Sequence, residues 1–213
     1  MTSLLNAILV VVLVMNLFAL GASRIPAVIR IVGAQGAVLG LIPLLMARPQ
    51  SVTTAFIVAA TIGIKGLLIP GIMLRALREA EIRREVEPII SRLASAALGA
   101  AAILLALLFA GSLPLAPQHQ DLLLMPAAMA TVLAGFILLT TRYTALNQIV
   151  GYLVLENGIF IFGMLLVEAM PFIVELGVLL DLLVGIFVTC IIVNHINRAF
   201  SSLDTRRLAS LKD

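Results

Sequence analysis

"GYLVLENGIFIFGMLL", residues 151–166, decides how this chain must be read. The run is apolar and nearly long enough to cross a bilayer, yet Glu156 and Asn157 stand in its middle. A carboxylate at that depth opposes insertion, so its presence needs a physical reason. The rest of the chain has the same greasy character. Of 213 residues, 62% are hydrophobic and 12% charged, and the mean hydropathy is +1.18. A soluble domain carries about a quarter charged residues. This composition cannot cover a water-facing surface, so the chain reads as an integral membrane protein. Its apolar blocks are continuous, without the alternation of barrel strands, and the spans are therefore helices.

The single Cys190 lies in an apolar segment. One cysteine excludes an internal disulfide framework, a cysteine-held iron–sulfur cluster and a cysteine-rich nickel–iron centre within this chain. His119 and His195 fall on opposite sides of the membrane and cannot clamp one haem; no phosphate loop is present. The sequence pI of 9.6 would suit nucleic acid, but the placement of the basic residues explains it better.

Hydropathy predicts an all-α polytopic protein of seven transmembrane helices, at 3–21, 26–46, 52–74, 93–113, 122–140, 146–167 and 172–197. A charged loop at 75–92 separates helices three and four, and "RALREAEIRREVEP" within it reads as an amphipathic surface helix. Arg24, Arg30, Arg75, Arg78, Arg83, Arg84, Arg92, Arg142, Arg198, Arg206, Arg207 and Lys212 then fall on one side, with Arg48 alone on the other. The positive-inside rule places the N-terminus outside and the C-terminus in the cytoplasm. Residues 1–22 lack a basic leading region, and cleavage after "FALGAS" would leave Arg24 and Arg30 outside; helix one is read as retained.

Three ionisable groups remain deep in the spans: Lys65 in "TIGIKGLLIPG", Glu156, and Asp181 in "ELGVLLDLLVGIFV". Each charge at a helix centre costs about 2.5–3.5 kcal/mol on insertion scales. A rise of about 1.5 Å per residue puts Glu156 ~12 Å, Asp181 ~14 Å and Lys65 ~15 Å from their helix ends. All three lie near one midplane on three helices, which is a lateral arrangement. The simplest role is a structural ion pair, but one lysine cannot neutralise two carboxylates. Burial favours the neutral acid, and a carboxyl balanced between protonation states can pass protons. Gly63, Gly66 and Pro70 surround Lys65; proline frees a backbone carbonyl, so a kink or water pocket is expected there. Asn157, followed by Gly158, and Gln35 are expected to hydrogen-bond neighbouring helices.

The spaced residues of "QIVGYLVLENG", "VELGVLLD" and the ending "SLDTRRLASLKD" resemble component E of hydrogenase-4. This is a membrane subunit of formate hydrogenlyase-type group 4 nickel–iron hydrogenases. The resemblance is strongest over 142–213, present around "IKGLLIPGIM", and poor in helices one, two, four and five. It carries over Gly151, Tyr152, Glu156, Asn157, Gly158, Glu175, Gly177 and Asp181. The last three helices are also similar to the K subunit of bacterial complex I and to the C subunit of multisubunit cation/proton antiporters. Glu156 matches the buried acid of the middle helix; Asp181 stands where the complex I subunit has Glu.

These likenesses imply two regions. Residues 1–141 form an N-terminal region of five helices, and 142–213 form the K-like region with a cytoplasmic tail. They imply a non-catalytic membrane-arm subunit in the inner (cytoplasmic) membrane of a bacterium or archaeon. Its partners would be other membrane subunits, including antiporter-like ones, and a peripheral redox arm. The nickel–iron centre and iron–sulfur clusters would sit in those partners, with no cofactor or metal in this chain and no nucleic acid. Lys65, Glu156 and Asp181 would form the proton relay, supported by Asn157, Gly158 and Pro70. An antiporter subunit without redox partners and a purely structural scaffold are the alternatives.

Overall fold

A computed structural model describes residues 2–46, 52–79, 89–113 and 122–166. Among these residues every regular element is helical: α1 (Thr2–Gly21), α2 (Ile25–Gly40), α3 (Ile42–Met46), α4 (Val52–Thr61), a π-helical segment (Ile62–Leu68), α5 (Ile69–Glu79), α6 (Arg92–Ala110), α7 (Leu124–Thr140) and α8 (Ala145–Leu166). Five stretches are long and apolar enough to cross a membrane: Thr2–Gly21, Ile25–Leu45, Val58–Arg78, Arg92–Ala110 and Leu146–Leu166. Leu124–Thr140 is a shorter apolar helix. Large apolar side chains stay exposed along the outside, among them Phe18 on α1 and Leu93, Leu104, Leu105 and Leu108 on α6. Such a surface suits lipid, and the chain is a multi-pass membrane protein. The expected seventh helix at 172–197, the cytoplasmic tail, Arg48, His119 and Cys190 lie outside the described residues.

Local chemistry sets the helix ends. Ser91 caps α6 by accepting from the Ala94 N–H at 3.1 Å. Pro26 stands in the first turn of α2, where its missing N–H costs nothing. The expected single helix at 26–46 is interrupted at Leu41, because Pro43 cannot continue the hydrogen-bond ladder. The expected surface helix differs too. Residues 75–79 continue α5, since no Gly or Pro interrupts Ile72–Glu79, and residues 80–88 lie outside the described residues.

Packing shows how neighbouring helices run. The Leu123 N–H donates to Asn6 Oδ1 (3.0 Å) at one end of the bundle. At the other end Arg142 Nη2 donates to the Leu20 carbonyl (2.8 Å), so α1 and α7 run parallel. Gly99 of α6 packs on Leu20 and Leu17, while the Ile89 N–H, just before α6, donates to the Thr141 carbonyl (2.8 Å). Helix α6 is therefore antiparallel to both α1 and α7. Gly33, Gly36 and Gly40 of α2 meet Pro70, Lys65 and Ile62 in that order, which makes α2 antiparallel to the α4–π–α5 helix. Successive long helices thus alternate, and Arg24, Arg30, Arg75, Arg78, Arg92 and Arg142 gather at one end. The other end carries no Lys or Arg among the described residues.

Arg142 is 2% exposed at that basic end. Its bond to Leu20 satisfies a terminal carbonyl of α1 and sets a cation against the negative end of the helix dipole. Burial lowers its pKa from the ordinary value, though an arginine stays charged.

Glycines bring the helices together. A Cβ on Gly135 would lie 2.4 Å from the Leu155 backbone nitrogen, one on Gly151 2.6 Å from that of Leu139, and one on Gly158 2.6 Å from that of Val132. Backbone cannot swing aside as a side chain can, so α7 and α8 touch only because these positions lack a side chain. Gly163, on the same helix, has open space where its Cβ would be. Gly135→Val and Gly158→Leu should each destabilise the protein by about 1–3 kcal/mol, while Gly163→Ala stays near wild type. Thermal unfolding in lipid nanodiscs would measure this; equal stability of all three variants would contradict the α7–α8 contact.

Candidate functional site

The site grows from an irregularity in the third long helix. Pro70 has no N–H to give the preceding turn, and its ring crowds the carbonyl four residues earlier. The backbone over Ile62–Leu68 widens into a π-helix, and the Ile69 N–H bonds the Ile64 carbonyl, five residues back. The expected distortion beside Lys65 is therefore a π segment running up to the proline. Opposite it, α2 presents small residues. A Cβ on Gly33 would be 2.4 Å from Pro70 Cγ, and one on Gly36 2.9 Å from Lys65 Cβ. Gly66 meets Ala37 in the same way, at 2.9 Å. This close seam fixes the backbone beneath Lys65, whose side chain reaches α8.

There Lys65 Nζ lies 3.3 Å from Glu156 Oε1, with side-chain exposures of 11% and 7%. The ammonium also lies 5.3 Å from the ring centroid of Phe160. Phe160 follows Glu156 by one helical turn, so one face of α8 offers the lysine a carboxylate and an aromatic face. Both members of the pair stand about midway along their helices. The cost of two charges at lipid depth is lowered by their mutual attraction.

Beside the pair runs an uncharged chain of hydrogen bonds. Asn157 Nδ2 donates to Gln35 Oε1 at 3.1 Å. Gln35 Nε2 donates to Asn16 Oδ1 at 2.8 Å and to the Val12 carbonyl at 3.4 Å. Asn16 Nδ2 donates to Thr131 Oγ1 at 2.9 Å, which donates to the Ala127 carbonyl at 2.7 Å. All four side chains are 3% exposed or less. The chain ties α8, α2, α1 and α7 together at the depth of the ion pair. A cavity of about 10 Å³ borders the pair; Lys65, Glu156 and Asn157 are its three polar lining residues, and the rest of its wall, Gly33, Pro70 and Val150 included, is apolar or glycine.

The structure thus brings together Lys65, Glu156, Asn157 and Pro70 of the residues singled out from sequence. Gly158 stands one residue further along α8 and faces α7, where it allows close packing. Gly151 does the same two turns earlier. Asp181, Glu175 and Gly177 lie outside the described residues. Sequence reasoning passed over Asn16, Thr131 and Phe160. Asn16 and Thr131 gave a signal as polar residues inside apolar runs; Phe160 gave one only through its spacing of four from Glu156. Among the described residues no group of three or more His, Cys, Asp or Glu is placed to hold a metal ion.

No family model matches the chain, and no solved structure matches it. The chain is 31% identical over 85 residues to "Hydrogenase-4 component E" of Escherichia coli strain K12 and of Shigella flexneri, a match covering 40% of this chain and 39% of those proteins. It is 33% identical over 191 residues to the uncharacterized protein Rv0085 of Mycobacterium tuberculosis, covering 88% of this chain and 86% of that protein. At that identity and coverage, the chain belongs to the same family as Rv0085.

Proposed function

We propose that this chain is a non-catalytic membrane-arm subunit of a group 4 hydrogenase or complex I-like assembly, and that it relays protons laterally. The observation that carries this reading is the Lys65–Glu156 pair at 3.3 Å, held at mid-membrane depth beside a π segment and a cavity. An acid facing both a cation and an apolar wall experiences opposing influences on its charge, which is what a proton carrier needs. Glu156 is the central carrier, Lys65 the charge that tunes it, and Asp181 the next station. Redox chemistry, with its nickel–iron centre and iron–sulfur clusters, belongs to partner subunits. The partial likeness to Hydrogenase-4 component E supports membrane partners of this kind. The membrane is the inner (cytoplasmic) one. The N-terminus is outside, because the basic end of the bundle faces the cytoplasm.

The same ion pair favours a second reading. A lysine and a glutamate that meet directly, with an aromatic ring behind the lysine, can serve only to lock α8 against the π segment. The two readings separate on one substitution. Glu156→Gln keeps the size and hydrogen bonding of the side chain but cannot ionise. In the intact complex it should leave assembly and isolated redox turnover near wild type and lower proton movement by roughly tenfold or more. Normal proton movement at matched assembly would leave the structural reading in place.

Orientation has its own measurement. Reporter fusions after Glu85, Arg142 and Asp213 should report cytoplasm, and fusions near Arg48, Gln118 and Met170 the outside. A cytoplasmic signal near Gln118 would break the alternation of spans.

A further inference from the structure

The polarity of the amide chain is fixed by groups that cannot turn. Asn and Gln side chains can be swapped end for end without changing their outline, so their orientation follows from their partners. The carbonyls of Val12 and Ala127 are backbone acceptors only. Gln35 Nε2 faces the first at 3.4 Å, and Thr131 Oγ1 faces the second at 2.7 Å. A hydroxyl that gives its proton to Ala127 must accept from Asn16, so the Asn16 nitrogen points to Thr131 and its oxygen to Gln35. Gln35, with its nitrogen committed twice, offers its oxygen to Asn157. Every bond therefore runs in one direction, from Asn157 towards Ala127. The Asn157 carbonyl oxygen is the terminal acceptor of the series, on a residue that lines the cavity with Lys65 and Glu156.

We propose that this cavity is a binding site for one water molecule, held between Asn157 Oδ1, Glu156 and Lys65, with Gln35 as the residue that orients Asn157. A volume of about 10 Å³ is close to the space one water centre requires, and a buried water needs two to four polar partners. The three groups are complementary. A water there accepts from the lysine ammonium and donates its two protons to the carboxylate and to the amide oxygen. A reversed amide would present N–H groups and leave one water proton without an acceptor. The polarity set at Val12, beside Gln35, and at Ala127, at the far end of the chain, thus reaches the ion pair. The water site stands on this geometry; its use as a stepping stone for protons rests on the relay reading.

The test is a high-resolution cryo-EM map of the intact complex, at a resolution where other buried waters are seen. Wild type should show a peak roughly 2.5–3.2 Å from Asn157 Oδ1, Glu156 and Lys65. Its absence overturns the site. Gln35→Met breaks the chain at similar length and should remove at least half of the peak while the Lys65–Glu156 separation stays unchanged. Gln35→Glu, as the neutral acid, keeps one donor and one acceptor and should retain the peak. A full peak in Gln35→Met removes the orienting role of Gln35. Should that variant fail to assemble, Asn157→Leu deletes the acceptor directly and should lose the peak; a full peak there overturns the assigned coordination. Proton movement in Glu156→Gln is read separately. Normal movement with the wild-type water in place would sink the relay and leave the water site standing.

Discussion

An ammonium and a carboxylate facing each other at 3.3 Å in the middle of a membrane bundle constrain everything around them. Neither Lys65 nor Glu156 is tolerable there alone, since each carries an insertion cost of about 2.5–3.5 kcal/mol. Together they are acceptable only if the two helices meet at a fixed height and rotation. The π segment and its glycine partners on α2 set the position of Lys65. The glycine contacts between α8 and α7 set that of Glu156. The close-packed small-residue seams are thus the condition under which the pair exists.

Those seams use one of the two packing devices that lipid leaves available. Hydrocarbon competes equally for any leucine face, so helices are held by close backbone approach and by polar contacts. Gly135, Gly151 and Gly158 supply the first on one side of the bundle, and Gly33, Gly36 and Gly66 on the other. The amide chain supplies the second. It links α1, α2, α7 and α8 through side chains that are all buried. A partly satisfied network at that depth would cost more than an apolar core. Its bonds to the backbone carbonyls of Val12 and Ala127 make it directional as well as cohesive.

The π segment joins these two themes. Pro70 weakens the hydrogen-bond ladder of its helix, and the widened turn carries Lys65. Gly33 on α2 leaves room for the proline ring, and both residues border the cavity. One helix defect therefore serves the placement of the charge and of the cavity beside it.

Sequence by itself determined that the chain is a helical membrane protein, because continuous apolar runs and 12% charged residues admit no other way to satisfy the backbone. It also located the described spans to within a few residues and picked out Lys65 and Glu156 as ionisable groups deep within spans, since each stands in the middle of an apolar run. Asn16 and Thr131 were legible only as isolated polar residues, because hydrogen-bond partners 115 positions apart leave no periodic trace. The continuation of α5 through Arg75 and Arg78 was hidden by their charge, which at a helix end looks the same as a surface segment. Tertiary structure decided the rest. It placed Lys65 against Glu156 and Phe160, chose the direction of the amide chain and made the glycines contact surfaces. The reason is physical: depth along a helix follows from counting residues, whereas rotation about its axis and the choice of neighbour depend on how close two backbones can come.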